Sequence, residues 1–494
     1  MAALTPDQLE TLVAKVAERL GSATTKPAPR VELLPAWSRV STAGRARAPA
    51  FLRNTGHMLG RGMFADLDSA VSAAQRAFEQ LRELDLAVRA RMIEAMRRAH
   101  LDATRELAAM AVQETGLGRV EDKILKNTVA AQKTPGLEIL VPRAFTGDDG
   151  LTLHERAPFG VIGSITPCTN PTETVVNNAI SMVTAGNSVV FNVHPNAKNV
   201  CRRNIELLND AIVAAGGPEN CVCGIAEPTV ESAQALMKHP GIRVVVVTGG
   251  GAVVKAAMAS GKRAICAGPG NPPVVVDETA HLDQAARDVV AGASIDNNII
   301  CIVEKECFAV ASIADALKAG MQKNGAVEVS GAALRRLEQL VVTSDGHTNR
   351  DWIGKDAAKI LRAAGVSCAD ETRLAFAEVD AAHPFVQLEL LMPVLPVVRV
   401  KDWETAIDEA VRAEHGFFHT AVMHSTNIDR LHEMARAVNT SIFIKNAPSY
   451  AGLGVGGEGY TAWTIAGASG DGLTTALTYT RERRCTLKDK FRIV

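Results

Sequence analysis

An α/β architecture built on two parallel sheets, with a smaller β arm, is what this sequence predicts. Three observations carry the expectation. From residue 160 onward, apolar runs of strand length alternate with segments of helical periodicity, the pattern of a parallel sheet covered on both faces. A glycine turn, "VTGGGAVVKAAMASG", stands between one such strand and the helix after it. Two polar, alternating segments, "GLTLHER" (150 to 156) and "ALTYTRERRCTLKDKF" (476 to 491), cannot bury much alone and call for pairing with another strand or subunit.

The chain starts with an amphipathic helix over residues 1 to 21. Leu9, Leu12, Val13, Val16 and Leu20 recur at helical spacing, Thr5 and Gln8 form a capping box around Pro6, and Gly21 stands at the stop. No basic n-region or uninterrupted apolar run marks this segment as a signal peptide. Residues 22 to 61 lack periodicity and hold seven basic residues against the single acid Glu32, which reads as a flexible linker. The tethered helix therefore presents an apolar stripe in need of a partner.

Helical patterns follow at 66 to 81 and 85 to 116, the second closed by Gly116. Strands are predicted at 160 to 166, 187 to 193, 221 to 226, 243 to 248 and 263 to 268. Helices are expected between them, around 173 to 185, 198 to 215, 229 to 238 and 251 to 260. A second α/β run spans about 273 to 445, with "PPVVVD", "KECFAVAS" and "TSIFIKN" as strands. The expected units are 62–138 with 160–272, the usual frame for a nucleotide cofactor, then 273–469, and 139–159 with 470–494 for the arm.

Bulk properties exclude several function classes. A formal charge of −1 gives no long-range attraction for nucleic acid or an anionic membrane, and no apolar run approaches the roughly 20 residues of a membrane span. Nine cysteines without a paired C-x-x-C suit a reducing compartment, and neither they nor His415 and His419 in "EHGFFHT" make a metal set. A small-molecule partner is expected.

Five stretches could carry chemistry. Gly249 and Gly250 open a helix N-terminus, suited to a pyrophosphate, although Val254 departs from the spacing of the usual dinucleotide fingerprint. In "SITPCTNPT", Asn170 offers an amide to a developing oxyanion, or simply makes an Asn-Pro turn. Cys301 in "DNNIICIVEKE" is either a small buried hydrophobe or a thiolate nucleophile. Glu389, embedded in "QLELLMPVLPVV", needs a partner or a ligand, and "YAGLGVGGEGY" is a loop that lines a site or turns a corner.

Taken in order, "FGVIGSITPCTNPTETVVNNAISMVTAGNSVVF", "VVVVTGGG", "CAGPGNPPVVVDETA", "SIDNNIICIVEKE", "ELLMPVLPV" and "SIFIKNAPSYAGLGVGGEGY" resemble the aldehyde dehydrogenase superfamily. The nearest likeness is to its CoA-acylating branch, the propionaldehyde and acetaldehyde dehydrogenases of bacterial microcompartments. The resemblance implies two Rossmann-like domains and an oligomerisation arm, making a dimer or tetramer. It implies NAD as cofactor, coenzyme A as co-substrate and a short aliphatic aldehyde, propionaldehyde above all. Cys301 would attack the aldehyde, and its own N–H and the Asn170 amide would hold the oxyanion. Thr166, Pro167, Thr248, Gly249, Gly250 and Ala267 would contact the cofactor, His194 and Pro195 its adenine side, and Glu389 its nicotinamide ribose.

Departures from the hydrolytic branch sharpen the expectation. A gapless match puts Cys266 where that branch carries its water-activating glutamate, and Thr169 in the place of its oxyanion asparagine, with Asn170 one position later. Asn192 and Pro195 stand where a lysine and a glutamate usually hold the adenosine ribose. Without a base the acyl group should wait for the thiol of CoA, and Glu304 is expected to be structural, tied to Lys305 or a strand neighbour. Residues 1 to 21 look similar to helices that bind a shell or cargo protein, which would place the chain in a microcompartment lumen of the bacterial cytoplasm. Two alternatives stay open: a hydrolytic enzyme using Glu304 or Glu306 as a relocated base, and an inactive cargo or scaffold protein.

Overall fold

Strand β1 (Met58–Gly60) turns directly into β2 (Met63–Phe64), and this short hairpin closes one edge of a seven-stranded sheet. The computed structural model describes residues 58 to 493, so the expected helix at 1–21 and all but the end of the linker lie outside the described residues. Strand β1 corrects that end: it pairs with β2 although it falls inside the stretch read as a linker.

The remaining strands of this sheet are β3 (Val161–Ile165), β4 (Ser188–Asn192), β5 (Val222–Ile225), β6 (Val244–Thr248) and β7 (Arg263–Ala267), in the order β1-β2-β5-β4-β3-β6-β7. All pairs beyond the β1–β2 hairpin are parallel. β3 and β4 are buried along their whole length, which is why they read as continuous apolar runs rather than alternating ones. The chain runs outward through β4 and β5, then returns to add β6 on the other side of β3. A crevice therefore opens beyond the C-terminal ends of β3 and β6, the position that receives ligands in open α/β sheets.

The second seven-stranded sheet contains β8 (Pro273–Val276), β9 (Glu306–Val310), β10 (Ala326–Glu328), β11 (Leu374–Glu378), β12 (Val394–Val400), β13 (Thr420–His424) and β14 (Ile442–Lys445). It is parallel throughout, in the order β10-β11-β12-β9-β8-β13-β14. The two polar segments find each other: Thr480–Lys488 pairs antiparallel with Gly150–Pro158 along nine residue pairs, and Arg143–Gly147 adds a third strand. Among the described residues no helix is long and apolar enough to cross a membrane.

Two helical expectations change. The pattern at 85 to 116 divides into helices Leu86–Asp102 and Thr104–Thr115, with Ala103 between them at φ −94° and ψ 1°. A further helix, Val120–Lys133, has no counterpart in the sequence reading. Its buried residues include Lys123, Lys126 and Asn127, so apolar periodicity does not mark it.

Candidate active site

The crevice holds a cavity of about 1040 Å³. Thr166, Pro167 and Asn170 line it from the end of β3, His194 and Pro195 from the end of β4, and Thr248, Gly249 and Gly250 from the end of β6. Ala267, Cys301 and Glu389 complete the set, so the residues expected to serve catalysis and the cofactor line one cavity. Those from 166 to 267 converge because each ends or follows a strand at the same end of a parallel sheet, whereas Cys301 and Glu389 come from the segments ahead of β9 and β12.

At the cofactor end, a methyl group built on Gly249, Gly250 or Gly251 would meet nothing within 4 Å. The space above the turn is open, and the helix Gly251–Met258 begins there, with first-turn N–H groups that have no partner inside the helix. A pyrophosphate fits such a cradle. Asn192 accepts from the Ser232 hydroxyl at 2.5 Å and is thereby held within the protein.

Cys301 sits beyond an unusual run of backbone. Asp296, Asn297 and Asn298 all adopt positive φ, at 46°, 54° and 65°. Left-handed backbone strains most L-residues, and Asn and Asp tolerate it best because a short polar side chain can bond locally. Here Asn297 donates to the Gly354 carbonyl (2.9 Å), and Asn298 donates to the carbonyls of Ala293 (2.8 Å) and Glu304 (2.9 Å). Lys305 braces the same turn by donating to Asn298 Oδ1 (2.6 Å), the Asn298 carbonyl (2.8 Å) and the Ile300 carbonyl (3.2 Å). Burial, reinforced by the Glu389 carboxylate, pushes the Cys301 thiol up to about 12, while Lys305 opposes the shift.

Asn170 is the N-cap residue of the helix Pro171–Thr184 and is 6% exposed. Its Oδ1 accepts from Lys126 Nζ at 2.6 Å, and its Nδ2 donates to Thr169 Oγ1 at 3.2 Å. Lys126 also contacts Asp296 and, at 3.2 Å, Glu173. Lys123 reaches Asp296 and the Thr169 carbonyl, both at 3.0 Å. These charged groups are all buried. From the far end of the same helix, Lys133 donates to the carbonyls of Gly454 (2.6 Å) and Gly457 (2.7 Å), which fixes the glycine-rich loop whose Leu453 lines the cavity.

The carboxylates nearest Cys301 in sequence do not reach the cavity. Glu304 accepts from Ser449, through the backbone N–H at 2.8 Å and the hydroxyl at 2.6 Å. This corrects the expected tie to Lys305, whose ammonium is committed to the Cys301 turn. Glu306 lies in the fully buried β9, its two oxygens have no hydrogen-bond partner, and burial pushes its carboxyl well above the usual range. Cys266 packs in an apolar cluster with Val245, Val247 and Ala257 and does not line the cavity.

Sequence reasoning missed Lys123, Lys126 and Asp296, and passed over His419 except as a metal ligand. His419 is buried, its Nδ1 pairs with Thr420 Oγ1 at 2.9 Å, and its Nε2 has no partner. A methyl group on Gly270 would fall 2.9 Å from the Cys301 carbonyl oxygen and 3.0 Å from the His419 ring, so all three meet at one point. Burial, and then the charge of Lys305, depress this imidazole to about 4, which keeps it neutral at physiological pH. Its "FFHT" setting gave no periodic or motif signal.

Comparison with known proteins identifies the family. Residues 48–350 match the model of the aldehyde dehydrogenase family. Acetaldehyde dehydrogenase (acetylating) EutE of Salmonella typhimurium is 54% identical over 439 residues, 88% of this chain and 94% of that protein. Propionaldehyde dehydrogenase of Rhodopseudomonas palustris, solved with bound CoA and an acylated cysteine, superposes with a TM-score of 0.85 at 49% identity, over 87% of this chain and 98% of that one. A propionaldehyde dehydrogenase from the fucose utilisation microcompartment of Clostridium phytofermentans gives a TM-score of 0.86 at 44% identity, over 88% of this chain and all of that one (100%). From the glycine cradle through the Cys301 turn to the glycine-rich loop, the chain belongs to the aldehyde dehydrogenase family, in its CoA-acylating branch.

Proposed function

We propose that this protein oxidises a short aliphatic aldehyde, with propionaldehyde and acetaldehyde as the leading candidates, and releases the acyl group as its CoA thioester. The observation that carries the reading is the composition of the cavity around Cys301. It offers a thiol and amide donors, while Glu304, Glu306 and Cys266 all lie outside it. Water finds no activator there in the places where a hydrolytic enzyme would hold one. A thiol needs less help, being intrinsically a strong nucleophile.

Cys301 forms a thiohemiacetal with the aldehyde carbonyl, and the oxyanion lies against the Cys301 N–H and the Asn170 amide. Donors of this kind are typically worth about 3 kcal/mol in the transition state. Gly249, Gly250, Thr166, Pro167, Thr248 and Ala267 hold a nicotinamide dinucleotide, His194 and Pro195 flank its adenine, and Glu389 takes the ribose nearest Cys301. When bound, that cofactor supplies the hydride acceptor. Cys301 keeps the oxidised carbon as a thioester, and attack by the CoA thiol returns its sulfur as the leaving group.

The segments 62–138 and 160–272 serve the cofactor, 273–469 the chemistry, and 139–159 with 470–494 the pairing of subunits into a dimer or tetramer. Residues 1–21 act as an address for a microcompartment shell or cargo protein, a reading supported by the microcompartment origin of the Clostridium relative. A reporter fused to those residues should collect in microcompartments; a diffuse signal in cells with intact shells removes that part.

The central test is NADH formation from aldehydes of two to five carbons, with and without CoA. Sustained turnover should require CoA, and without it NADH should stop near one equivalent per active site. Undiminished turnover without CoA would support the hydrolytic alternative. No turnover in the wild-type protein, with nothing measurable changed by Cys301→Ser, would instead leave a scaffold.

A further inference from the structure

We infer that Lys126 is a positioning residue for the oxyanion site: it fixes which end of the Asn170 amide faces the aldehyde and strengthens that amide as a donor. The inference rests on the reading of Asn170 as an oxyanion donor and adds the group that makes it one.

The argument begins with an asymmetry of hydrogen-bond chemistry. An asparagine side chain can present either its oxygen or its NH₂ to a cavity, and only the NH₂ can stabilise an oxyanion. A lysine ammonium donates and never accepts. With Lys126 Nζ 2.6 Å from the Asn170 amide, the atom facing it has to be Oδ1, so the NH₂ group lies on the other side. One of its hydrogens goes to Thr169 Oγ1 at 3.2 Å, and the second is left for a ligand.

Charge adds to placement. An ammonium against the amide oxygen draws electron density from the nitrogen and makes its N–H a stronger donor, as for any hydrogen bond with an ionised partner in a chain. Lys126 can keep its charge although buried, because two carboxylates, Asp296 and Glu173, face it. Burial works against the charge, but those carboxylates outweigh it and hold the ammonium above the ordinary lysine range. Lys123 supplies the balancing cation and fixes the Thr169 carbonyl. Asp296, three residues from Ile299 at the head of the Cys301 turn, thus joins the nucleophile and the oxyanion donor through one ammonium. The ring centroid of Trp463, which lines the cavity, lies 5.7 Å from Nζ.

The experiment is a double-mutant cycle on the full-length enzyme, read as the pre-steady-state burst of NADH from propionaldehyde. Asn170→Ala should slow the burst by ~100-fold or more, the usual range for an oxyanion donor. Lys126→Met should slow it ~10-fold or more with KM for NAD within about twofold of wild type, because its effect falls on the transition state. In the Asn170→Ala background, Lys126→Met should add almost nothing. Equal slowing by Lys126→Met with and without the asparagine would overturn the proposal, since the lysine would then act independently of it. Slowing by Asn170→Ala but not by Lys126→Met would remove the lysine alone. A wild-type burst from Asn170→Ala would bring down the oxyanion reading itself, and this proposal with it. Should Lys126→Met fail to fold, Lys126→Gln, which keeps an uncharged donor, enters the same cycle with the same criteria.

Discussion

Ser449 donates both its backbone N–H and its hydroxyl to the carboxylate of Glu304, at 2.8 and 2.6 Å, across 145 residues of sequence. The acid three positions after Cys301 is therefore an anchor for the loop that follows β14. Burial pushes it up to about 7, with the Ser449 bonds opposing the shift. A carboxyl held above its unfolded value contributes stability that is fully present below the unfolded pKa and is lost as pH rises through the folded one. The loss between roughly pH 4.5 and 7 is on the order of 3 kcal/mol. Glu304→Gln should flatten the fall of Tm over that window and keep CoA-dependent turnover within about threefold of wild type. Loss of turnover in a folded Glu304→Gln protein would restore it as a catalytic base.

The raised pKa of Cys301 makes the resting group a thiol at neutral pH. Alkylation by iodoacetamide without cofactor should be slow at pH 7 and rise about tenfold per pH unit to pH 9, following the thiolate fraction. The exposed Cys485 provides an internal reference in the same mass-spectrometric measurement. Fast, pH-independent labelling of Cys301 would mean that a nearby base already holds its proton.

Gly270→Ala should lower kcat by at least about tenfold, because backbone on one side and a buried ring on the other leave its methyl no room. The displaced groups would be the Cys301 carbonyl and His419. Gly147→Ala, in the arm strand Arg143–Gly147 with nothing within 4 Å of the new methyl, is the control and should change neither kcat nor Tm appreciably.

Lys133→Met removes the donor to the Gly454 and Gly457 carbonyls. The expected result is a stability loss of about 1–3 kcal/mol, the range for buried acceptors left unpaired, together with faster proteolysis within the glycine-rich loop. An unchanged cleavage pattern would show that the loop holds itself.

Much of the fold was legible because its strands are apolar runs, and the cavity residues from 166 to 267 end or follow such strands. Gly249 and Gly250 gave a weak local signal as a glycine turn, and Cys301 read alone fits a small buried hydrophobe; their roles, like those of Thr166 and Pro167, came from the resemblance. The parts that escaped notice are charged groups used inside. Helix Val120–Lys133 buries Lys123 and Lys126, residues that any hydropathy pattern assigns to solvent. Their partner Asp296 lies some 170 residues away, and no local spacing reports such a pairing. His419 was invisible for a related reason: its surroundings come from Gly270 and the Cys301 turn, both remote in the chain.

The triplet Asp296-Asn297-Asn298 sets a narrow alphabet for evolution or engineering of this enzyme. Three successive left-handed residues admit glycine, asparagine and aspartate with least strain, and the side chains at these positions are already engaged in specific bonds. A library randomised across them should return sequences close to the one it started from, whichever aldehyde is used for selection. Variation in substrate choice will have to come from the cavity wall, where Leu391 and Leu453 stand outside the Cys301 turn.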